Sequence, residues 1–276
     1  MTQPFVKWAG GKRQILPAIL GRLPTEIKTY YEPFVGGGAV FFALAHEGAF
    51  DRAVINDLNS ELTDAFQTLG TGGAQAVIDL LSTYPHERGF FENLRRHVPA
   101  ELSLEARAAR FIYLNRIGFN GLYRVNQKGQ FNVPFGKYEN PTICDEDNLL
   151  AVAKALVGVE VQCRDFEGSV EPSKPGDTVY FDPPYIPLSE TSNFTAYTEG
   201  GFGLREHERL AQCFRRLADR GVAVLLSNSD TAKSRELYDG LKIERVMARR
   251  NINSKGTKRG EVSELLVSAN LPDQDL

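Results

Sequence analysis

The chain has 276 residues, 42% hydrophobic and 24% charged, enough for one large α/β core with a smaller insertion. No stretch nears the roughly 18 uninterrupted apolar residues of a membrane helix, and the amino terminus carries no signal-peptide pattern, so a cytoplasmic protein with no membrane partner is expected. A net charge of −3 argues against a simple polyanion binder, and Cys144, Cys163 and Cys213 form no C-x-x-C pair or Cys/His cluster, so neither a disulfide framework nor a metal is expected.

The amino-terminal stretch holds Lys7, Lys12 and Arg13 and no acid. A β-prone run, Thr29 to Phe34, then leads through Val35 and the glycines Gly36, Gly37 and Gly38 into an apolar helical run. Strand, glycine turn and helix open a doubly wound nucleotide-binding domain, but Phe41 stands where a dinucleotide fingerprint wants Gly or Ala, which disfavours a nicotinamide cofactor. A second strand, Ala53 to Asp57, ends in a carboxylate at the spacing that reaches ribose hydroxyls; the plainer reading makes Asp57 a helix cap.

From Asn59 to about Pro141 the pattern turns helical. Helices are predicted over Ser60–Leu69, Gln75–Leu81, Glu87–His97 and Leu104–Arg116, the last capped by Ser103. Gly118 to Tyr138 follows as a Gly/Asn/aromatic segment with a hairpin turn at Gly129. Between Arg107 and Lys137 the bases Arg107, Arg110, Arg116, Arg124, Lys128 and Lys137 alternate with aromatic residues and meet no acid, a pattern suited to phosphates and bases, although half of the aromatics fit a core equally well. The α/β pattern resumes with helix Glu146–Leu156, strand Glu160–Cys163 before Asp165 and Phe166, and the run Thr178–Phe181. Helix Leu204–Ala218, strand Val222–Ser227 and a pair of strands, Ile243–Ala248 and Ser263–Ser268, close the chain around a basic loop. The expected division is a catalytic domain of residues 1–58 and 142–276 and an inserted domain of residues 59–141.

Asp182-Pro183-Pro184-Tyr185 carries the chemistry. Two prolines stop the strand and leave the Asp182 side chain and the Pro183 carbonyl as paired acceptors pointing out of the sheet, suited to an –NH2 group, while the face of Tyr185, rather than its hydroxyl, suits a planar base. The motif resembles the signature of the amino methyltransferases, enzymes that methylate an exocyclic nitrogen of a base or, more rarely, an amide. A strand-terminating turn with a chance Asp is the bland alternative.

Taken in order, the blocks Phe5 to Lys12, Glu32 to Gly36, Asn115-Arg116 with Asn120 to Leu122 and Arg124, Phe131 to Gly136, Asp182 to Tyr185 and Asn193 to Tyr197 closely resemble the Dam-type DNA adenine-N6 methyltransferases, the α-group of the D12 class. The resemblance implies a Rossmann-like α/β methyltransferase fold with an inserted helical target-recognition domain carrying a β-hairpin. It implies S-adenosyl-L-methionine as donor, S-adenosyl-L-homocysteine as product, no metal, and adenine in duplex GATC as target, in a solution monomer that is either bacterial and nucleoid-associated or phage-encoded. Trp8 and Lys12 would close over the donor, Glu32, Phe34 and Gly36 would line its turn, Asp57 would hold its ribose, and Asp165 and Phe166 its adenine; Asp182 would touch donor and base. On the DNA side it implies Arg124 gripping a guanine, Leu122 and Pro134 on a thymine methyl, Phe119 and Asn120 as a wedge, and Arg116, Lys137, Lys255, Lys258 and Arg259 along the backbone.

Other readings stay weighed beside this one. A C5-cytosine enzyme needs a Cys nucleophile, typically after Pro, and no cysteine here follows one. N4-cytosine methylation shares the acceptor geometry but often has Ser for Asp182. Methylation of RNA or a protein amide, or a DNA-binding module that has lost catalysis, fits the basic hairpin less well or leaves Asp182, Tyr185 and Lys12 without a task.

Overall fold

The computed structural model describes residues 2–12, 14–187, 201–249 and 261–272. Its frame is a seven-stranded sheet of β1 (Ile27–Glu32), β2 (Phe50–Asn56), β3 (Glu160–Gln162), β4 (Thr178–Phe181), β5 (Ala223–Ser229), β6 (Lys242–Arg249) and β7 (Glu261–Ala269), in the order β3-β2-β1-β4-β5-β7-β6. All pairings are parallel except those of β7, which runs antiparallel to β5 and β6. The chain winds outward from β1 to β3, returns to β4 and winds the other way, so the order reverses between β1 and β4. Ligands of open α/β sheets bind at that point, beyond the carboxyl ends of the strands. The four residues of β4 are buried, as a strand covered on both faces requires.

Helices cover both faces. α1 (Leu16–Leu20), α2 (Ala39–Glu47), α3 (Ser60–Thr68), α4 (Ala74–Thr83), α5 (Arg88–Leu94), α6 (Leu104–Ile117) and α7 (Glu146–Ala155) supply or flank one apolar core, which includes Phe5, Phe41, Phe66, Phe111, Tyr180 and Leu225. The second core lies under α8 (Phe166–Val170), α9 (Leu204–Asp219) and α10 (Ala232–Leu237). There α9 turns Leu210, Ala211, Cys213, Phe214 and Leu217 inward, one face of a 3.6-residue period, and each large side chain buried this way contributes about 1.5–3 kcal/mol.

The predicted helices are present with ends shifted by a few residues, and two caps act as expected of their residue types: Ser103 accepts from Ala106 N, and Asn59, not Asp57, caps α3 by accepting from Leu62 N. β1 starts and stops two residues before the predicted run, and β2 begins at Phe50 rather than Ala53. The helices α1, α8 and α10 were not predicted. The segment after α6 is a hairpin held by two isolated antiparallel bridges, Gly118 to Phe135 and Val125 to Phe131, rather than by a ladder. At its tip Asn126 Oδ1 accepts from Lys128 N and Gln130 N, and Gly129 takes φ +72°, a conformation that favours glycine. α3 to α6 are not walled off from the sheet: Phe5 and Phe66 meet edge to face at 4.9 Å within one continuous core.

Candidate active site

Register builds the site. Phe181 pairs with Leu226, so Asp182 and Ser227, the next residues along parallel strands, come level, and Ser227 Oγ donates to Asp182 Oδ1 at 3.1 Å. Ser227 Oγ is itself 2.9 Å from the buried Tyr180 hydroxyl. Lys12, 7% exposed, reaches in from the amino-terminal loop: its Nζ lies 2.7 Å from Asp182 Oδ1, donates to Gly10 O at 2.6 Å, and stands 4.4 Å over the centroid of the Tyr185 ring. Both described contacts of Asp182 fall on Oδ1, which leaves Oδ2 as a further acceptor among the described residues. Burial raises the Asp182 pKa, while the Lys12 charge and hydrogen bond and the Ser227 hydroxyl hold it down.

After β1 and β2 stand the other groups. The Gly36 N–H donates to Asp57 Oδ2 at 3.1 Å and the Asn59 N–H to Oδ1 at 2.9 Å; burial still pushes the Asp57 carboxyl up to about 6. Gly36 has φ +48°, and a Cβ there would fall 2.6 Å from Trp8 Cδ1, so the indole can lie against the turn only because the residue is glycine. Trp8 in turn stacks on Tyr123 at 5.8 Å. Glu32 is buried, accepts the Tyr30 hydroxyl at 2.8 Å, and is pushed up to about 8 by burial, partly offset by Tyr30 and aggravated by Asp182. Phe34 is half-buried, 5.5 Å from Phe166.

This set fits a molecule that joins a nucleoside to an amino acid. Both Asp57 oxygens accept backbone N–H groups and the carboxylate retains lone-pair capacity for a ribose hydroxyl, and among the described residues two of the three Lys12 donors are engaged, leaving one for a carboxylate. Phe166 fits its expected part less directly. It is 2% exposed, flanked by Phe34 and Phe202 and covered by the Arg209 guanidinium at 5.1 Å, while Phe34 is half-buried beside it. Asp165 caps α8 through Glu167 N and pairs with Arg209 at 3.0 Å.

On the hairpin, Phe119 is exposed at 47%, beside exposed Asn120 at φ +56°. Arg124, Pro134 and Lys137 are exposed and Leu122 half-buried; Arg124 is braced by Asn132 through Oδ1 at 2.7 Å and the carbonyl at 3.2 Å. Arg116 is half-buried and donates through Nε to Phe5 O at 3.0 Å, so it ties down the amino-terminal segment. Of the aromatics read as base contacts or core, Phe111, Tyr113, Tyr123 and Phe131 are core. Lys255, Lys258, Arg259 and the block Asn193 to Tyr197 lie outside the described residues.

Several participants were missed in the sequence. Ser227 and Glu264 meet Asp182 and Tyr185 only through strand pairing, although the polar run Ser227 to Asp230 at a strand's carboxyl end was a usable signal. Asn115, fully buried, accepts from Lys7 N at 2.7 Å and donates to Lys7 O at 2.8 Å and Gly121 O at 2.9 Å. Tyr123 OH donates to Glu61 Oε1 at 2.9 Å, and Glu61 pairs with buried Arg110 at 2.5 Å, whose remaining donors hold Leu94 O and Arg95 O. The buried charges are thus met by hydrogen bonds on both sides, which such a pair requires.

A doubly wound sheet with a carboxylate, a lysine and a tyrosine ring at its switch point is the framework of an α/β transferase acting on a nitrogen. The sequence profile described as D12 class N6 adenine-specific DNA methyltransferase matches residues 8–252. Among similar proteins, the Type II methyltransferase M1.LlaDCHI of Lactococcus lactis subsp. cremoris is 43% identical, with 96% of this chain and 95% of that one covered. The Type II methyltransferase M.MjaIII of Methanocaldococcus jannaschii is 42% identical, covering 96% and 98%, and the DNA adenine methylase of Escherichia coli (strain K12) 37%, covering 96% and 94%. The chain belongs to the D12 class N6 adenine-specific DNA methyltransferases, and it is an S-adenosylmethionine-dependent enzyme that acts on DNA. No helix among the described residues is long and apolar enough to cross a membrane.

Proposed function

We propose that the enzyme methylates N6 of adenine within GATC, on a base flipped out of the duplex, by direct in-line transfer. The observation that carries this reading is the Asp182 corner: a carboxylate held by Lys12 and Ser227, with the same lysine over a tyrosine ring, at the point where the sheet order reverses. Bound S-adenosyl-L-methionine supplies an electrophilic methyl group. An ordinary Asp, with a pKa of about 3.9, is too weak to deprotonate an aromatic amine beforehand, so Asp182 acts by accepting. Accepting both N–H bonds, on Asp182 and on the Pro183 carbonyl, localises the amine lone pair and aims it, and the surplus amine proton is lost after the methyl group has transferred. Unstacking costs a few kcal/mol, and the exposed Phe119 and Asn120 stand ready to fill the gap. Trp8, Lys12, Glu32, Phe34, Gly36, Asp57, Asp165 and Phe166 form the donor side, with Glu32 and Phe166 acting from beneath it. Residues 59–141 form the target-reading insertion, with Lys255, Lys258 and Arg259 on phosphates.

Two expected results follow. Arg124→Ala should lower methylation of GATC more than that of sites altered at the outer base pair, since a bidentate guanine contact is worth roughly 1–3 kcal/mol. Steady-state kinetics on both duplexes check this: an equal loss on both would assign Arg124 to the backbone, and efficient methylation of DNA lacking GATC would overturn the target sequence. The second concerns pH. Asp182 works ionised, so rate falls as pH drops through its raised pKa, and the acid limb should lie above that of an ordinary carboxylate. Lys12→Met removes the largest influence holding that pKa down, so the limb of kcat at saturating donor should move to higher pH; a limb that stays put would show that Lys12 does not act on Asp182.

A further inference from the structure

The Asp182 corner leaves one group unused, the Tyr185 hydroxyl. It donates to Glu264 Oε2 at 2.8 Å. Glu264 sits on β7 opposite Ser229, in a stretch whose next three residues, Leu265 to Val267, are buried, so the carboxylate is carried by a fixed strand. The backbone around Tyr185 is fixed as well. Pro183 and Pro184 precede it, and after it the Ile186 N–H donates to Asn228 Oδ1 at 3.1 Å, while Ser229 Oγ donates to the Ile186 carbonyl. What remains to be set is the swing of the ring about its Cα–Cβ bond; the hydrogen bond at its far end anchors the hydroxyl, and Lys12 Nζ stands 4.4 Å over its face. Burial raises the phenol pKa well above its usual value, with Asp182 and Glu264 adding to the effect, so the hydroxyl stays a donor.

We infer that Glu264 is a positioning residue, which anchors the far end of the Tyr185 ring so that a flipped base stacks on it with its amine at Asp182. The inference rests on the function proposed above. Glu264 touches no reacting atom; it acts through Tyr185. A stacking surface that swings still binds a base but presents it to the methyl group in fewer productive orientations, so the loss falls on kcat rather than on KM. The hydroxyl, for which the sequence offered no use, then matters alongside the ring face.

The test uses the full-length enzyme with total methyl incorporation into adenine of mixed-sequence DNA, so that an error in GATC does not enter. Glu264→Ala and Tyr185→Phe should each lower kcat about tenfold or more, roughly the loss of one hydrogen bond to a charged group, with KM for DNA within about twofold. The double variant should be no worse than the poorer single one, because both remove the same bond. Glu264→Gln, which still accepts from the hydroxyl, should keep kcat within about threefold of wild type and so exclude a general loss of fold. Both single variants should also change the fluorescence of 2-aminopurine placed at the target position, a readout of base stacking. Wild-type kcat in Glu264→Ala, losses that multiply in the double variant, or a Gln variant as poor as Ala would each overturn the inference. Asp182→Ala assayed in parallel separates the two levels: if it stays active the proposed corner fails, and if it is dead while Glu264→Ala is normal only the positioning role fails.

Discussion

Replacing Asp182 by alanine is expected to stop methyl transfer while the protein still holds DNA. The substitution removes the one side-chain acceptor at the end of β4 and leaves the Pro183 carbonyl alone to orient the amine. Loss of a preorganised group of this kind costs on the order of 10³-fold or more in kcat. Kd for duplex DNA should change by less than about tenfold, since the exposed hairpin residues lie on another element. Lys12 keeps the Gly10 carbonyl and the Tyr185 ring after its partner is gone, so the amino-terminal loop retains two of its anchors. Single-turnover methylation beside a DNA titration decides the matter; turnover within a few fold of wild type would remove Asp182 from the chemistry.

Glu32→Gln is expected to make the enzyme more stable in neutral and alkaline solution. Buried Glu32 holds its proton up to about pH 8, whereas the same carboxyl in an unfolded chain titrates near 4.3. Between those values the unfolded state gives up a proton that the folded state retains, so stability is fully present below the window and is lost as pH rises through it. Two units of that window, pH 6 to 8, correspond to about 2–3 kcal/mol. Glutamine mimics the protonated acid: it accepts from the Tyr30 hydroxyl as the acid does, and it does not titrate. Asp57, raised to about 6, slopes the same way at lower pH in both proteins, which is why the comparison belongs above pH 6. Urea unfolding at pH 6 and pH 8 should show the wild type losing this amount relative to the variant; parallel losses would mean that Glu32 is ionised in the folded protein.

What the sequence makes legible is whatever is local. A buried strand stopped by Pro183 and Pro184 places Asp182 without any knowledge of its neighbours, and caps such as Ser103 mark a helix start within a residue. Helices of five or six residues, α1, α8 and α10, are too short to show a period. Ser227 on Asp182 and Glu264 on Tyr185 depend on how β4, β5 and β7 are registered, and Lys12 reaches Asp182 across most of the chain; no local pattern encodes such meetings. Charge and aromaticity alone do not tell a side chain's packing contacts. Arg116 spends its Nε on a backbone carbonyl, and Phe166 packs among Phe34, Phe202 and Arg209.

The bonds of Asn115 bear on how such enzymes exchange specificity. Asn115 grips both the backbone of Lys7 and that of Gly121, Arg116 holds Phe5, Tyr123 lies on Trp8, and a Cβ at Gly121 would strike Lys7 at 2.5 Å. The segment carrying Arg124 is therefore seated on the first dozen residues as firmly as on its own helices. A recombination that replaced residues 59–141 with those of a relative would mate a foreign hairpin to a native amino-terminal loop and break this seat. For this chain the unit that would have to move together has two pieces far apart in sequence, the first dozen residues and the hairpin.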